Sequence, residues 1–162
     1  CANLPYYITS PVIMKLLEDR LPITSITVMV QKEAAERLCA QPGTRECGAV
    51  SAAVQYYAEP EILFEVSRGS FMPAPNVDSA VIQLRIRKEP PVDVHDEALF
   101  FRVIRAAFAQ RRKTAVNSIS NTLHMSKQQV TDAFEQAGVR ANSRAEALTL
   151  PEFAAIVNQL AD

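Results

Sequence analysis

Three residues into the chain stands Asn3-Leu4-Pro5-Tyr6-Tyr7, a polar amide followed by a stiff Leu-Pro pair and two aromatics. Pro5 fixes its own φ and pushes Leu4 toward an extended conformation, so the Asn3 side-chain oxygen and the carbonyls around Leu4 can be held at fixed positions. Two fixed acceptors match the two N–H donors of an exocyclic amine. The tyrosine after the proline offers a stacking face for the ring that bears it. Such a corner suits the capture of a flat, amine-bearing heterocycle; its plain structural alternative is a strand-to-helix turn whose aromatics pack locally.

A second cluster, Phe71-Met72-Pro73-Ala74-Pro75-Asn76-Val77-Asp78-Ser79, falls in a long turn between two predicted strands. A phenylalanine held between prolines in a turn is a poor core element and a candidate second stacking face; the alternative is a ring capping the sheet edge. A third feature is charge. Arg102, Arg105, Arg111, Arg112 and Lys113 are five cations with no acid between residues 98 and 113. A run of that kind serves either as a solvated helix face or as a phosphate-contacting surface, which Arg140 and Arg144 would join.

Composition sets the frame for these residues. The 162-residue chain is 48% hydrophobic, enough for one good core and a small second domain. Its net charge of −1 announces no polyanion partner, but residues 1–97 carry 9 basic and 13 acidic side chains while 98–162 carry 8 and 5, so the tail is the positive half. Cys1, Cys39 and Cys47 are odd in number, and neither His95 nor His124 has a metal-like spacing with them, which points to reduced thiols and no metal. No apolar run approaches membrane-spanning length and no signal peptide opens the chain.

The elements that must position these residues read as an α/β layer followed by helices. Ser10 and Pro11 open a helix with Val12, Ile13, Leu16 and Leu17 on one face, ending near Arg20. Residues 25–30 read as a strand buried on both faces, and 31–38 as a helix broken by Pro42-Gly43. Residues 49–57 lean helical until Pro60, 62–66 form a strand, and 79–87 form its antiparallel partner across the 67–78 turn. After the Glu89-Pro90-Pro91 linker, helices are expected at 98–109, 114–124, 127–137 (capped by Ser126, closed by Gly138) and 150–160. The four glycines are scattered, with no Gly-rich strand-to-helix turn to receive a nucleotide-like cofactor. Either the chain is not a cofactor enzyme or it is the second half of one, and the position of Asn3 at the very edge favours the second reading.

Asn3-Leu4-Pro5-Tyr6 resembles the catalytic loop of S-adenosylmethionine-dependent adenine amino-methyltransferases acting on RNA, and Phe71-x-Pro73-x-Pro75-x-Val77-Asp78-Ser79 resembles their later substrate-side motif. Gln31 to Arg37 is similar to the segment between the two motifs. The tail extends the likeness through Ala107 to Thr114 and Asn142 to Leu148. In shared order across essentially all 162 residues, these stretches resemble the KsgA-type dimethyladenosine transferases, which methylate two adjacent adenines near the end of small-subunit ribosomal RNA.

The resemblance implies the second half of a Rossmann-like methyltransferase domain over residues 1–89 and a small all-helical domain over 90–162 that contacts RNA or the ribosome. It implies catalytic roles for Asn3, Leu4, Pro5, Tyr6 and Phe71, with Asn3 also at the cofactor, and RNA contacts by Arg102, Arg105, Arg111, Arg112, Lys113, Arg140 and Arg144. S-adenosyl-L-methionine is expected as methyl donor, bound mainly by a first half outside this chain, so that the chain alone binds it weakly or not at all. The expected protein is cytoplasmic and monomeric, with small-subunit ribosomal RNA or the immature small subunit as partner, without membrane or metal. A non-catalytic RNA-binding assembly factor of the same fold and an erythromycin-resistance-type enzyme acting on large-subunit RNA are the alternatives.

Overall fold

The computed structural model describes residues 1–3 and 9–161. Strand β1 (Ala2–Asn3), helix α1 (Thr9–Glu18) and strand β2 (Ser25–Gln31) form a βαβ unit, because β1 pairs in parallel with β2, Asn3 opposite Met29. Helices α2 (Lys32–Leu38) and α3 (Ala49–Tyr57) follow, then strands β3 (Ala58–Val66) and β4 (Ser79–Ile86). The sheet order is β1-β2-β4-β3, with β4 antiparallel to both neighbours. Helices α4 (Glu97–Phe108), α5 (Ala115–Leu123), α6 (Lys127–Gln136) and α7 (Leu150–Ala161) complete the chain.

Three expectations shift. Strand β2 buries Ile26, Val28 and Val30 on the helix-covered face while Thr27, Met29 and Gln31 stay half-buried, so within this chain only one face is covered. Strand β3 begins at Ala58 rather than after Pro60; pairing with β4 carries it through the proline, which an edge strand tolerates. Helix α1 starts at Thr9, which places Ser10 inside the first turn rather than at the cap.

The helical termini follow local chemistry. Asp96, Thr114 and Ser126 each accept a backbone N–H three residues on, from Leu99 (3.1 Å), Asn117 (3.3 Å) and Gln129 (3.1 Å). Thr149 and Glu152 form a reciprocal capping box ahead of α7. Gly138, at φ 74°, ends α6, with Gly138 N–H on the Glu135 carbonyl (3.0 Å) and Val139 N–H on that of Phe134 (2.9 Å). That is a complete Schellman closure, and Val139 and Phe134 both belong to the helical core.

Two cores result. Ile26, Val28, Val30, Ala80, Ile82 and Leu84 of the sheet pack with Ile13, Leu17, Ala35, Leu38 and Val54. Phe100, Ile104, Ile119, Phe134, Phe153 and Ile156 anchor the helical core, which Ala52 and Tyr56 also enter. Helix α3 is therefore a wall between them, presenting Val54 to one core and Ala52 and Tyr56 to the other, with Tyr57 against both. Burial pushes the Cys39 and Cys47 thiols up to about 11, leaving them protonated near neutrality.

At the seam, Arg20 donates to both oxygens of Glu97 (2.7 and 2.8 Å), and the Tyr56 hydroxyl donates to the same carboxylate at 2.8 Å. The Arg20 guanidinium also lies 5.6 Å from the centre of the Tyr57 ring. Burial opposes ionisation of Glu97, but the hydrogen bonds from Arg20 and Tyr56 and the charge of Arg20 outweigh it and hold the carboxyl below its ordinary value of 4.5. The clamp is thus fully formed above that pH and is lost as pH falls through the lowered folded value. Glu97→Ala should cost about 1–3 kcal/mol, chiefly by stranding the buried Tyr56 hydroxyl. In a Tyr56→Phe background the same change should cost clearly less, as urea midpoints will show.

Candidate active site and nucleic-acid interface

Asn3 is exposed at the carboxyl end of β1, the end of a parallel pair where α/β proteins bind their ligands. Across the sheet it stands in register with Met29, Val81 and Phe64, so these four share a face. That face is opposite the one covered by α1 to α3 and it is partly open: Phe64 is 55% exposed. Asn3 also borders a surface hollow of about 310 Å³ with Thr27, Met29 and Val81. The remaining residues of the first motif, Leu4, Pro5 and Tyr6, lie outside the described residues.

The loop over residues 67–78 leaves β3 at Val66 and enters β4 at Ser79, which face each other and stand beside Gln31 at the end of β2. It therefore rises from the same end of the sheet as Asn3. Two strand spacings and two residues along β4 separate the Cα atoms of Asn3 and Ser79, about 12 Å. Phe71 is half-buried and belongs to neither core, and Met72 beside it is fully exposed. Asp78 is held below the usual carboxylate range by the Arg68 backbone N–H and then by its guanidinium.

The basic residues divide into two groups. Arg102 and Arg105 are exposed on α4, and Arg105 borders a groove of about 150 Å³ with Glu18, Met14 and Phe101, on the seam toward α1 and α3. Arg111, Arg112 and Lys113 form the α4–α5 loop, fixed from beneath by the buried Ser118, whose hydroxyl donates to the Ala106 carbonyl and accepts from Gln110 N–H. Ala115 N–H donates to the Ser143 carbonyl at 2.8 Å, which lays that loop against the one bearing Arg140 and Arg144. All five of these side chains are exposed, and among the described residues none forms an ion pair.

The sequence did not reveal how this basic flank meets the sheet end. Arg111 shares a hollow of about 150 Å³ with Glu33, Glu36 and Glu46, and the same Glu33 and Glu36 border a hollow of about 430 Å³ with Arg68, Val77 and Asp78. Helix α2 thus bridges the 67–78 loop and the basic loops, with Glu33, Glu36 and Arg37 exposed on it. Glu33 pairs with Arg37 one turn along the same helix (3.8 Å).

Among the described residues, none of Gly43, Gly48, Gly69 and Gly138 sits in a turn from a strand into an α-helix, and no group of metal-ligating side chains occurs. The described residues offer the exposed Asn3 amide at a strand end, and among them no glycine-rich turn that would cradle a nucleoside. No helix among them is long and apolar enough to cross a membrane.

Comparison with known proteins gives the family and the fold. The chain is 54% identical over 162 residues to ribosomal RNA small subunit methyltransferase A of Geobacillus sp. (strain WCH70), covering 98% of this chain and 56% of that protein. It is 49% identical over 159 residues to the protein of the same name from Oceanobacillus iheyensis, covering 97% and 54%. The chain therefore spans about half the length of the curated relatives it matches. Two crystal structures share the fold: a dimethyladenosine transferase from Plasmodium falciparum (TM-score 0.73, 22% identity, 96% of this chain and 64% of that one) and the 23S rRNA methyltransferase ErmE (0.70, 23%, 99% and 64%). The family model described as ribosomal RNA adenine dimethylase matches residues 1–162, and the chain belongs to that family.

Proposed function

We propose that this chain is the substrate-side part of an enzyme that transfers methyl groups to the exocyclic amines of two adjacent adenines in small-subunit ribosomal RNA. Residues 1–89 are the later strands of a Rossmann-like methyltransferase domain, and 90–162 are a helical unit that contacts RNA. The observation that carries this reading is the exposed amide of Asn3, at the ligand-binding end of a parallel strand pair and on the same sheet end as the Phe71 loop, in a chain of this family.

Asn3 accepts one N–H of the adenine amine, and the motif assigns the second to the Leu4 carbonyl. The amine is a poor nucleophile because its lone pair is delocalised into the ring; gripping both hydrogens rotates and pyramidalises it, which localises the pair. S-adenosylmethionine, when bound, supplies an electrophilic methyl group. No general base is then needed before transfer, and the proton leaves to water afterwards. Extruding the base costs a few kcal/mol, and stacking by Phe71, with Tyr6 as the motif implies, returns about 1–3 kcal/mol each. The Arg111–Lys113 loop and the Arg140–Arg144 loop bind phosphates, while Arg102 and Arg105 engage RNA from a separate side of α4. The protein works in the cytoplasm as a monomer.

The test is methylation of isolated small- and large-subunit ribosomal RNAs by the full-length protein, with nucleosides resolved by mass spectrometry. Dimethyladenosine in the small-subunit RNA is the expected product; modification of only the large-subunit RNA, or binding with no methyl transfer, overturns the reading. Reversing charge at Arg111 and Arg112 should lower the salt slope of RNA binding by about 1 for each phosphate left without its cation. An unchanged slope would return both arginines to simple solvation.

A further inference from the structure

A twelve-residue loop has many ways to close, so something must select the one that presents Phe71. Its first turn is set locally: Ser67 Oγ accepts from Gly69 N–H (3.3 Å), and Phe71 N–H reaches the Arg68 carbonyl (3.3 Å). Its closure is set by Arg68. The Arg68 backbone N–H and Nε–H both donate to Asp78 Oδ1 (2.9 and 3.1 Å), while Nη1 donates to the Asn76 carbonyl at 2.7 Å. Residue 68 is thereby locked to residues 76–78, and 71–75 become the projecting tip, where Met72 is fully exposed. The Asp78 carbonyl accepts from Lys32 N–H at 3.0 Å, which fastens the closure to the junction of β2 and α2, next to the strand that carries Asn3.

We propose that Arg68 and Asp78 are positioning residues for methyl transfer, fixing where Phe71 meets the target base; this rests on the base-clamping reading above. The pair belongs to neither core, and its side chains are 54% and 34% exposed. Its net effect on folding is therefore small. A ring displaced by about 1 Å, by contrast, can cost up to about a hundredfold in rate. The fork matters as much as the charge, since only a guanidinium spans from Asp78 to the Asn76 carbonyl.

The experiment uses the full-length enzyme with Arg68→Lys, which keeps charge and loses the fork, and separately Asp78→Asn. Single-turnover methylation of ribosomal RNA should slow about tenfold in each, with RNA affinity within about twofold and Tm within about 2 °C of the parent. In a Phe71→Leu background, itself slow, Arg68→Lys should slow the reaction no further, because the brace acts through that ring. An unchanged rate in both single variants, or the same additional slowing with Phe71 already replaced, overturns the proposal. If Phe71→Leu slows transfer and the brace variants do not, the base-clamping reading stands and the brace alone falls. If Phe71→Leu leaves the rate untouched, both fall.

Discussion

In the full-length protein, Asn3→Ala should lower the single-turnover rate of methyl transfer by about 10²–10³-fold, the range seen when one preorganised partner of a reacting group is removed. RNA affinity should stay within about twofold, because the proposed phosphate contacts elsewhere would supply most of it. The size of the effect follows from Asn3's task. In the proposed mechanism its oxygen accepts an N–H that becomes more acidic as the amine nitrogen bonds to carbon, so the contact would strengthen toward the transition state. The side chain is exposed at the end of a two-residue strand and belongs to neither core, so stability should barely move. A rate within a few-fold of the parent would remove Asn3 from the chemistry.

The second large effect concerns folding. Phe100→Ala should cost about 3–5 kcal/mol, a large share of the 5–15 kcal/mol typical of a whole domain. Phe100 is fully buried on α4, its ring 5.2 Å from Tyr56, so truncation opens a void at the place where the helical unit meets α3. Phe100→Leu, which keeps most of the volume, should cost distinctly less. Denaturant midpoints for the two variants decide it, and equal, small losses of stability would mean that the site collapses around the deletion.

Much of the architecture was legible because it is locally encoded. Thr114, Ser126 and Gly138 announce helix ends by chemistry that acts within a few residues, and the four tail helices lie within about a turn of where periodicity puts them. The misplaced start of β3 has the opposite origin. Pro60 reads as a breaker, yet Ala58 pairs with Ile86 and Pro60 with Leu84, so tertiary pairing overrides the local signal. The Arg20–Glu97 clamp joins residues 77 apart, and no period reports such a contact. Asn3 and Phe71 stood out because an amide ahead of Leu-Pro and a phenylalanine held between prolines are poor core elements. Arg68 did not, since an arginine in a polar turn looks like any solvated cation. The grouping of the basic residues was likewise hidden: all seven share one sign, but whether they face one ligand depends on how α4 turns against α1 and α3, which is a property of packing.

The position of α3 has a consequence for anyone who would divide the chain at its proline linker. That helix is lined on two sides by unrelated sets of apolar residues, so a fragment ending at residue 89 would bare Ala52, Tyr56 and Cys47 to water, and the complementary piece would bare the ring of Phe100. Expressed apart, each half carries a sticky wound, and reassociation on mixing is the natural outcome. Heat should dismantle the joined protein in one step, whatever boundary the linker suggests.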